Sequence, residues 1–287
     1  MTSINYNKFR PLLEINLAML FISTSGALGR YIDLSVPAII GVRAVLAFVL
    51  LSIYCYYRKI SFKVNKKDLP VVLIGGVLMG VHWVSYFYAL KWSNVAVGML
   101  SIFTYPIITA FLEPILLKTK FHRMHLLLAF LVLSGIYFLI PDFDVHNSYT
   151  LAIAMGVFSA LAYALRNLMM KSKVATYNGS LLMTYQTGVV GVLLVPVFLF
   201  TDFSAIVDQI APLVTLALLT TAIGHTLFLL SLKNFTVTTA SILSSVQPVY
   251  GVIIAMIFLN EFPSLSTVFG GTLILAAVMI ESVRSYR

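Results

Sequence analysis

Ten apolar stretches of about 20 residues each constrain the fold of this 287-residue chain more than any other feature. A helix rises about 1.5 Å per residue, so each stretch is long enough to cross a hydrocarbon core of about 30 Å. Membrane β-strands would be about 10 residues long and would alternate apolar with polar residues. The sequence therefore predicts an all-α integral membrane protein with ten transmembrane helices, at residues 12–32, 36–57, 69–90, 94–117, 122–140, 148–169, 179–201, 210–232, 236–259 and 264–286.

The composition supports this class and argues against several others. Apolar residues make up 60% of the chain and charged residues 10%, with a mean hydropathy of +0.97, whereas a soluble protein has about 25% charged residues. The single cysteine, Cys55, is too few for a disulfide framework or a thiolate metal cluster. The chain contains no HExxH, GxSxG or Walker-type motif. We therefore expect neither an enzyme nor a metal or cofactor site, and no second, soluble domain.

The net charge of +9 is best explained by membrane topology. Of the nineteen Lys and Arg residues, Arg30, Arg43 and Arg166 lie inside predicted spans, and Arg30 has Asp33 as a ready partner three residues later. With a cytoplasmic amino terminus, fifteen of the other sixteen lie on the cytoplasmic side and only Lys91 lies outside. This asymmetry follows the positive-inside rule. It predicts a protein of the plasma (inner) membrane with both termini cytoplasmic, and it favours the lipid bilayer over nucleic acid as the partner of the positive charge.

An internal repeat divides the chain into residues 1–143 and 144–287. An offset of 142 places Leu90-Lys91 on Leu232-Lys233 and Pro106 on Pro248. Each half contains five predicted spans, and because five is odd the two halves cross the membrane in opposite directions. Two inverted five-helix repeats are typical of secondary transporters, which commonly bind their substrate where broken helices meet near the bilayer midplane.

Two segments also resemble a known family. They are YALKWSNVAVGMLSIFTYPI, which starts at Tyr88, and LSLKNFTVTTASILSSVQPVYGVIIAMIFLNEFPSLSTVFGGTLILAAV, which starts at Leu230. They are similar to the EamA family of the drug/metabolite transporter superfamily, and the similarity covers essentially the whole chain. The first copy departs from the family pattern, with Leu117-Lys118-Thr119-Lys120 where a Gly-Glu pair is usual and Glu113-Pro114 a turn earlier. The resemblance implies ten helices in two repeats and carrier-mediated movement of a small metabolite, often the export of amino acids.

Polar side chains at membrane depth are the candidate site residues, because each costs about 2.5–3.5 kcal/mol to insert. Arg43 lies seven residues into the second span, and His82 lies at the same depth in the third, on one helix face with Ser85 and Tyr86. We predict that Arg43 binds a substrate carboxylate and that His82 binds the solute or exchanges a proton, since imidazole titrates near neutral pH. The alternative is a buried polar cluster that only holds helices together.

A second polar layer is predicted near the cytoplasmic side, formed by Arg166, Gln186 and His225 in the sixth, seventh and eighth spans. An inner gate is one interpretation of this layer. The alternative is that Arg166 extends to the membrane interface or pairs with Glu113.

Between these layers, Tyr105-Pro106 and Gln247-Pro248, followed by Tyr250, lie near the bilayer midplane. Proline removes a backbone hydrogen bond and interrupts a helix, and both prolines occupy the same position in their repeats. We predict a hinge or binding site at Pro106 and Pro248, with Tyr105, Gln247 and Tyr250 as contacts for the solute. A packing kink is the alternative.

These observations predict a secondary transporter that moves a small metabolite by alternating access. Amino acids are the leading substrate class, export is the favoured direction, and protons are the candidate coupling ion. An uptake carrier or permease for a sugar, nucleoside or cationic drug remains an alternative, and a membrane sensor or intramembrane enzyme is a weaker one. The sequence carries no signal for the oligomeric state.

Overall fold

The computed structural model of the chain describes residues 6–118, 124–139 and 147–285, and no β-strand occurs among them. The first half contains α1 (Tyr6–Tyr31), α2 (Val36–Tyr57), α3 (Leu69–Trp92), α4 (Val95–Ile102), α5 (Tyr105–Leu117) and α6 (Met124–Leu139). The second half contains α7 (Ser148–Val174), α8 (Gly179–Leu194) with a 3₁₀ extension (Val195–Phe200), α9 (Phe203–Asp208), α10 (Ile210–Thr215), a π-helical segment (Leu216–His225), α11 (Thr226–Ser231), α12 (Val237–Leu243), α13 (Val246–Leu259) and α14 (Leu265–Ser285).

Eight stretches of the described chain are long and apolar enough to cross a membrane, and they match eight of the predicted spans. The two remaining predicted spans correspond to α6 and α14. The apolar parts of these helices are shorter, at Phe130–Leu139 and Leu265–Ala277. The all-helical membrane architecture is confirmed. The count of ten spans stays a prediction, as does the repeat boundary at residue 143, which lies outside the described residues.

Helix ends are set by residues with the expected capping chemistry. The side chains of Asn94, Asn147 and Asn178 accept hydrogen bonds from backbone N–H groups at the starts of α4, α7 and α8, which satisfies donors that lack a partner within the helix. At the ends of α5 and α13, Lys118 and Asn260 adopt left-handed backbone conformations with φ of 55° and 54°. These two residues are 142 positions apart, the same offset that aligns the two prolines.

The main pairs of packed helices stay the same when every helix is exchanged for its counterpart in the other half of the chain. The most extensive contacts join α3 to α7, α2 to α8, α6 to α14, and α1 to α13 and the π-helical segment. The counterparts are α1 and α7, α2 and α8, α3 and the π-helical segment, and α6 and α14. The contact between α3 and α7 therefore corresponds to the contact between the π-helical segment and α1. The contacts of α2 with α8 and of α6 with α14 each join a helix to its own counterpart. The contacts of α1 with α13 likewise correspond to those of α7 with α5.

The fourth predicted span of each half is an interrupted helix. α4 stops at Ile102 and α5 starts at Tyr105, and in the second half α12 stops at Leu243 and α13 starts at Val246. The interruptions predicted at the two prolines are therefore present. The hydroxyl of Tyr105 donates a hydrogen bond to the carbonyl of Ser241 at 3.3 Å and also contacts the hydroxyl of Ser244. The two interrupted helices thus touch at their breaks.

The outer surface of this bundle is apolar. Large hydrophobic side chains are exposed on many helices, among them Phe48, Ile53, Phe130, Val192, Phe258 and Val268. Such a surface suits lipid, because exposed apolar side chains are favourable in contact with hydrocarbon. The membrane-depth polar groups of the predicted site lie inside the bundle instead.

Candidate functional site

A small cavity lies at the centre of the bundle, where α1, α2, α3, α7, the π-helical segment and both interrupted helices meet. Its volume is about 20 Å³, which is room for about one water molecule. Its walls include the predicted residues Arg43, His82, Tyr86, Tyr105 and Gln247. Five residues selected by depth and helix face therefore lie around one enclosed space.

Among the described residues of the cavity wall, Arg43 is the only one with a permanent charge, and it is 1% exposed. Its Nε donates to the Thr221 hydroxyl at 2.7 Å and its Nη2 to the Thr220 hydroxyl at 2.9 Å. The guanidinium lies 4.2 Å above the Trp83 ring, a cation–π contact. Its third nitrogen, Nη1, is buried and has no hydrogen-bond partner. The guanidinium has five N–H groups and the two described hydrogen bonds use one each, so three remain, including both on Nη1. An arginine held by neutral hydroxyls in this way can still bind an additional acceptor.

The two threonines that hold Arg43 lie on the π-helical segment Leu216–His225, which has a wider turn than an α-helix. Both threonines and His225 are buried there and face the bundle interior. The hydroxyl of Thr220 also donates to the carbonyl of Leu216 at 2.5 Å, so its lone pairs stay available to Arg43. π-helical turns occur often at functional sites because they change the direction in which side chains point.

The contacts of His82 define which ring nitrogen carries its proton. The hydroxyl of Ser159 donates to the backbone carbonyl of His82 at 2.8 Å, and the same oxygen lies 2.9 Å from Nδ1. With the single hydrogen of that hydroxyl given to the carbonyl, the tautomer that fits both contacts carries its hydrogen on Nδ1, which donates to the hydroxyl oxygen. The imidazole stacks on Tyr163 with 4.3 Å between ring centroids and is parallel to Tyr86 at 6.2 Å. Its Nε2 is left as an acceptor.

His225 joins the same cavity, which corrects the prediction of a separate inner layer for this residue. The indole Nε1 of Trp83 donates to Nε2 of His225 at 3.3 Å, and the rings of His82 and His225 are 6.3 Å apart. The predicted location was wrong because the sequence places His225 only along its own span and does not show which helices pack against it. Since Nε2 accepts, Nδ1 of neutral His225 carries a hydrogen, and this nitrogen is buried without a partner.

Arg166 and Gln186 form a second buried polar cluster, as their predicted common layer implied. Nε of Arg166 donates to Oε1 of Gln186 at 2.8 Å, and Nη1 donates to Oδ1 of Asn167 at 2.9 Å. Arg166 is fully buried, so the alternative in which it extends to the interface is wrong. The described hydrogen bonds of Glu113 go to Thr238, not to this arginine.

Besides Arg166 and Gln186, three predicted residues lie away from the cavity wall. Pro106 is buried in the first turn of α5, and Pro248 borders a separate apolar pocket of about 220 Å³ between α4, α13 and α14. Tyr250 is half-buried and is not part of either lining. The predicted partner of Arg30 also changes, because its described salt bridge is to Glu261 at 2.9 Å and not to Asp33.

Sequence reasoning did not select Trp83, Ser159, Thr220 or Thr221 as site residues. By composition Trp83 is an apolar residue of its span. Its indole N–H, directly after His82 in the sequence, is the signal that could have identified it. Ser159 and the two threonines have small hydroxyl side chains that commonly bond within their own helix. No pattern in the sequence distinguishes those that reach across to another helix.

The charge of the two clusters is unbalanced. The described hydrogen-bond acceptors of Arg43 and Arg166 are hydroxyl, amide and thioether groups, and no described carboxylate forms a salt bridge with either arginine. Over the described residues, no group of three or more His, Cys, Asp and Glu is placed to hold a metal ion. The centre of the bundle is therefore a positively charged, aromatic-lined compartment inside an apolar shell, as in a membrane carrier for small solutes.

Comparison with known proteins agrees with this class. The EamA-like transporter family matches residues 11–140 and 150–283, one stretch in each half. The chain belongs to the EamA-like transporter family.

Individual relatives are more distant. An uncharacterized transporter of Archaeoglobus fulgidus is 26% identical over 196 residues, which cover 68% of this chain and 70% of that protein. The pseudopaline exporter CntI of Pseudomonas aeruginosa is 21% identical over 265 residues, which cover 91% of this chain and 92% of CntI. A crystal structure of a protein at 15% identity superimposes with a TM-score of 0.73 over 97% of this chain and 98% of its own, which supports the fold.

Proposed function

We propose that this protein is a secondary transporter that exports a small carboxylate-bearing metabolite, with amino acids as the leading class. It works by alternating access between two inverted five-helix repeats. Its location is the plasma (inner) membrane, with both termini in the cytoplasm.

The observation that carries this proposal is the unpaired Nη1 of Arg43 in the wall of an enclosed cavity. A buried charged donor without an acceptor destabilises a protein by about 1–3 kcal/mol or more, so its presence needs a functional reason. A carboxylate in the cavity would satisfy it. The rings of Tyr86, Tyr105 and Tyr163 around the same space suit the carbon skeleton of the solute.

Three further observations support alternating access. The family matches each half of the chain separately, the helix pairing is unchanged on exchange of the halves, and both interrupted helices touch beside the cavity. A cavity with room for one water molecule corresponds to a closed state between outward and inward opening. The breaks at Pro106 and Pro248 are the natural hinges, because they remove backbone hydrogen bonds near the middle of a span.

Export is favoured by the similarity to an exporter over nine-tenths of the chain. Protons are the favoured coupling ion, since His82 and His225 lie in the cavity wall next to the arginine. A histidine that gains a proton beside Arg43 would add a second positive charge, so solute and proton would bind interdependently.

The test is transport by purified protein in liposomes. Efflux of radiolabelled amino acids is measured for the wild type, for Arg43→Gln, and for the control Arg58→Gln, which changes an exposed arginine at the end of α2. We expect saturable efflux of at least one amino acid, a large loss of flux in Arg43→Gln and wild-type flux in Arg58→Gln. Flux of a sugar, nucleoside or cationic drug with none for any carboxylate solute would overturn the proposed substrate class.

A further inference from the structure

The positive charge at the centre of the bundle exceeds what one carboxylate would neutralise. Arg43 and Arg166 are both buried, at 1% and 0% exposure. His82 and His225, whose ring centroids are 6.3 Å apart, and Tyr163, which stacks on His82, line one cavity together with Arg43. Burying an ion without a counter-charge costs several kcal/mol.

The neighbours of Arg166 add donors instead of compensating for its charge. Arginine has only donors, so the Gln186 amide must present its oxygen to the guanidinium, as it does at 2.8 Å. Its nitrogen then faces away, and this Nε2 is buried with no acceptor. The free groups around both arginines therefore include Nη1 of Arg43, Nδ1 of His225 and Nε2 of Gln186, which are all hydrogen-bond donors. An excess of donors together with two positive charges is the complement of a multiply charged anion.

Arg166 is close enough to the cavity to take part. Tyr163 lines the cavity and stacks on His82, and Arg166 follows it by three residues, about 4.5 Å along α7. Tyr163 is thus the residue of α7 that connects the cavity wall to the second arginine along the helix.

From this arrangement we infer that the transported solute carries two carboxylate groups, as an acidic amino acid or a simple dicarboxylate does, with one carboxylate on Arg43 and the second on Arg166 and Gln186. The inference rests on the proposed function and narrows its substrate class. It also gives Gln186 a role as a specificity-determining residue, since its amide leaves the charge of Arg166 available to the solute.

The first experiment compares solutes that differ by one charge at nearly constant shape. Uptake into preloaded liposomes by exchange is measured for L-glutamate against L-glutamine, L-aspartate against L-asparagine, and succinate against succinamate. We expect the dicarboxylate of each pair to be transported about tenfold or more faster at low concentration, because it gains a charge-assisted hydrogen bond. Equal or faster transport of the three amides would overturn the inference that the solute carries two carboxylate groups. The proposed function would not be affected. Absence of transport for every carboxylate would overturn both.

The second experiment uses Gln186→Glu, which replaces the unpaired amide nitrogen by a carboxylate oxygen and supplies Arg166 with a counter-charge inside the protein. We expect a higher thermal unfolding temperature in detergent together with a fall of about tenfold in the ratio of glutamate to glutamine flux. Asn167→Asp should act in the same direction, since its Oδ1 also accepts from Arg166, and it serves if the first variant does not fold. The control is Gln209→Glu, the same chemical change at the end of α9.

The combination of stability and selectivity is decisive, because a merely structural role would raise stability without moving the flux ratio. An unchanged ratio in a stabilised Gln186→Glu protein would overturn the role of Arg166 in binding. A loss of stability in both carboxylate variants would also overturn the inference, since it would mean that the charge of Arg166 is already balanced. Inhibition by chloride or phosphate but by no dicarboxylate would identify an inorganic anion and overturn it as well.

Discussion

The carboxylate of Glu261 accepts a hydrogen bond from the backbone N–H of Val95 at 2.9 Å, although the two residues are 166 positions apart. The bond joins the loop after α13 to the first residue of α4 in the other half of the chain, and the same carboxylate pairs with Arg30. In the reverse direction, Glu113 in α5 accepts from the backbone N–H and the hydroxyl of Thr238 near the start of α12. A helix start carries partial positive charge. In each interrupted helix, a backbone N–H group at the start therefore donates to a carboxylate from the opposite half of the chain.

Glu261→Gln should destabilise the protein, because it removes the charge that both Arg30 and the start of α4 use. The group is partly exposed, so we expect a loss of about 1–2 kcal/mol, or a few degrees in the thermal unfolding temperature. The measurement is thermal unfolding of purified protein in detergent. Asp208→Asn, an exposed acid at the end of α9, is the control. Equal unfolding temperatures for the two variants would show that the carboxylate bridge contributes nothing measurable.

Thr221→Val should affect both stability and transport. The change keeps the shape of the side chain but removes the acceptor of Arg43 Nε at 2.7 Å, so the guanidinium would have a second unpaired nitrogen. Bonds to charged groups contribute about 1.5–3 kcal/mol, and a misplaced Arg43 should raise KM.

Unfolding and transport of this variant are compared with those of Thr215→Val, an exposed threonine that bonds only to the carbonyl of Ala211 one turn back. Wild-type behaviour of Thr221→Val would mean that Trp83 and Thr220 alone position the arginine.

The sequence predicted the parts of the site that are costly in lipid. Arg43 and His82 could be selected because a charged or titratable group inside an apolar span requires an account, and the breaks at Pro106 and Pro248 followed from the missing backbone donor. These arguments use only the residue and its own helix.

Contacts between side chains on different helices could not be predicted from these arguments. The position of His225 in the cavity depends on a π-helical turn that no spacing rule indicates, and the pairing of Arg30 with Glu261 depends on how the two halves dock. A sequence pattern gives the depth and face of a residue on its own helix, but it does not give the partner on another. The residues that were missed hold the predicted ones in place, as Thr221 holds Arg43.

The loop before α3 should give the protein an acid-dependent component of stability. Hydrogen bonds from Lys173 at 2.6 Å and Tyr177 at 2.7 Å hold the pKa of Asp68 below its ordinary value of about 3.9. A carboxyl whose pKa is lowered on folding stabilises the protein above the unfolded pKa, and this contribution is lost as the pH falls through the folded pKa.

For Asp68→Asn we therefore expect a lower unfolding temperature than for the wild type at pH 5–7, with the difference shrinking below about pH 4. Unfolding is followed across this pH range, with Asp208→Asn as the exposed control. A difference that stays constant down to pH 3 would contradict an ionised Asp68 as its source.

Ser159→Ala should release the imidazole of His82 from a single protonation pattern. The Ser159 hydroxyl donates to the His82 carbonyl and accepts from Nδ1, so its removal leaves a buried N–H without an acceptor, at a cost of about 1–3 kcal/mol. The ring can then avoid that cost by moving its proton to Nε2, which turns the nitrogen left as an acceptor into a donor.

In liposomes we expect reduced flux with a changed pH profile. In protein labelled with ¹⁵N-histidine we expect the His82 nitrogen signals to shift from the Nδ1–H pattern toward the Nε2–H pattern. Ser172→Ala, an exposed serine that bonds only within α7, should leave both the spectrum and the flux unchanged. An unaltered Nδ1–H signal in Ser159→Ala would mean that something other than Ser159 orients the histidine, and the acceptor at Nε2 would then need another explanation.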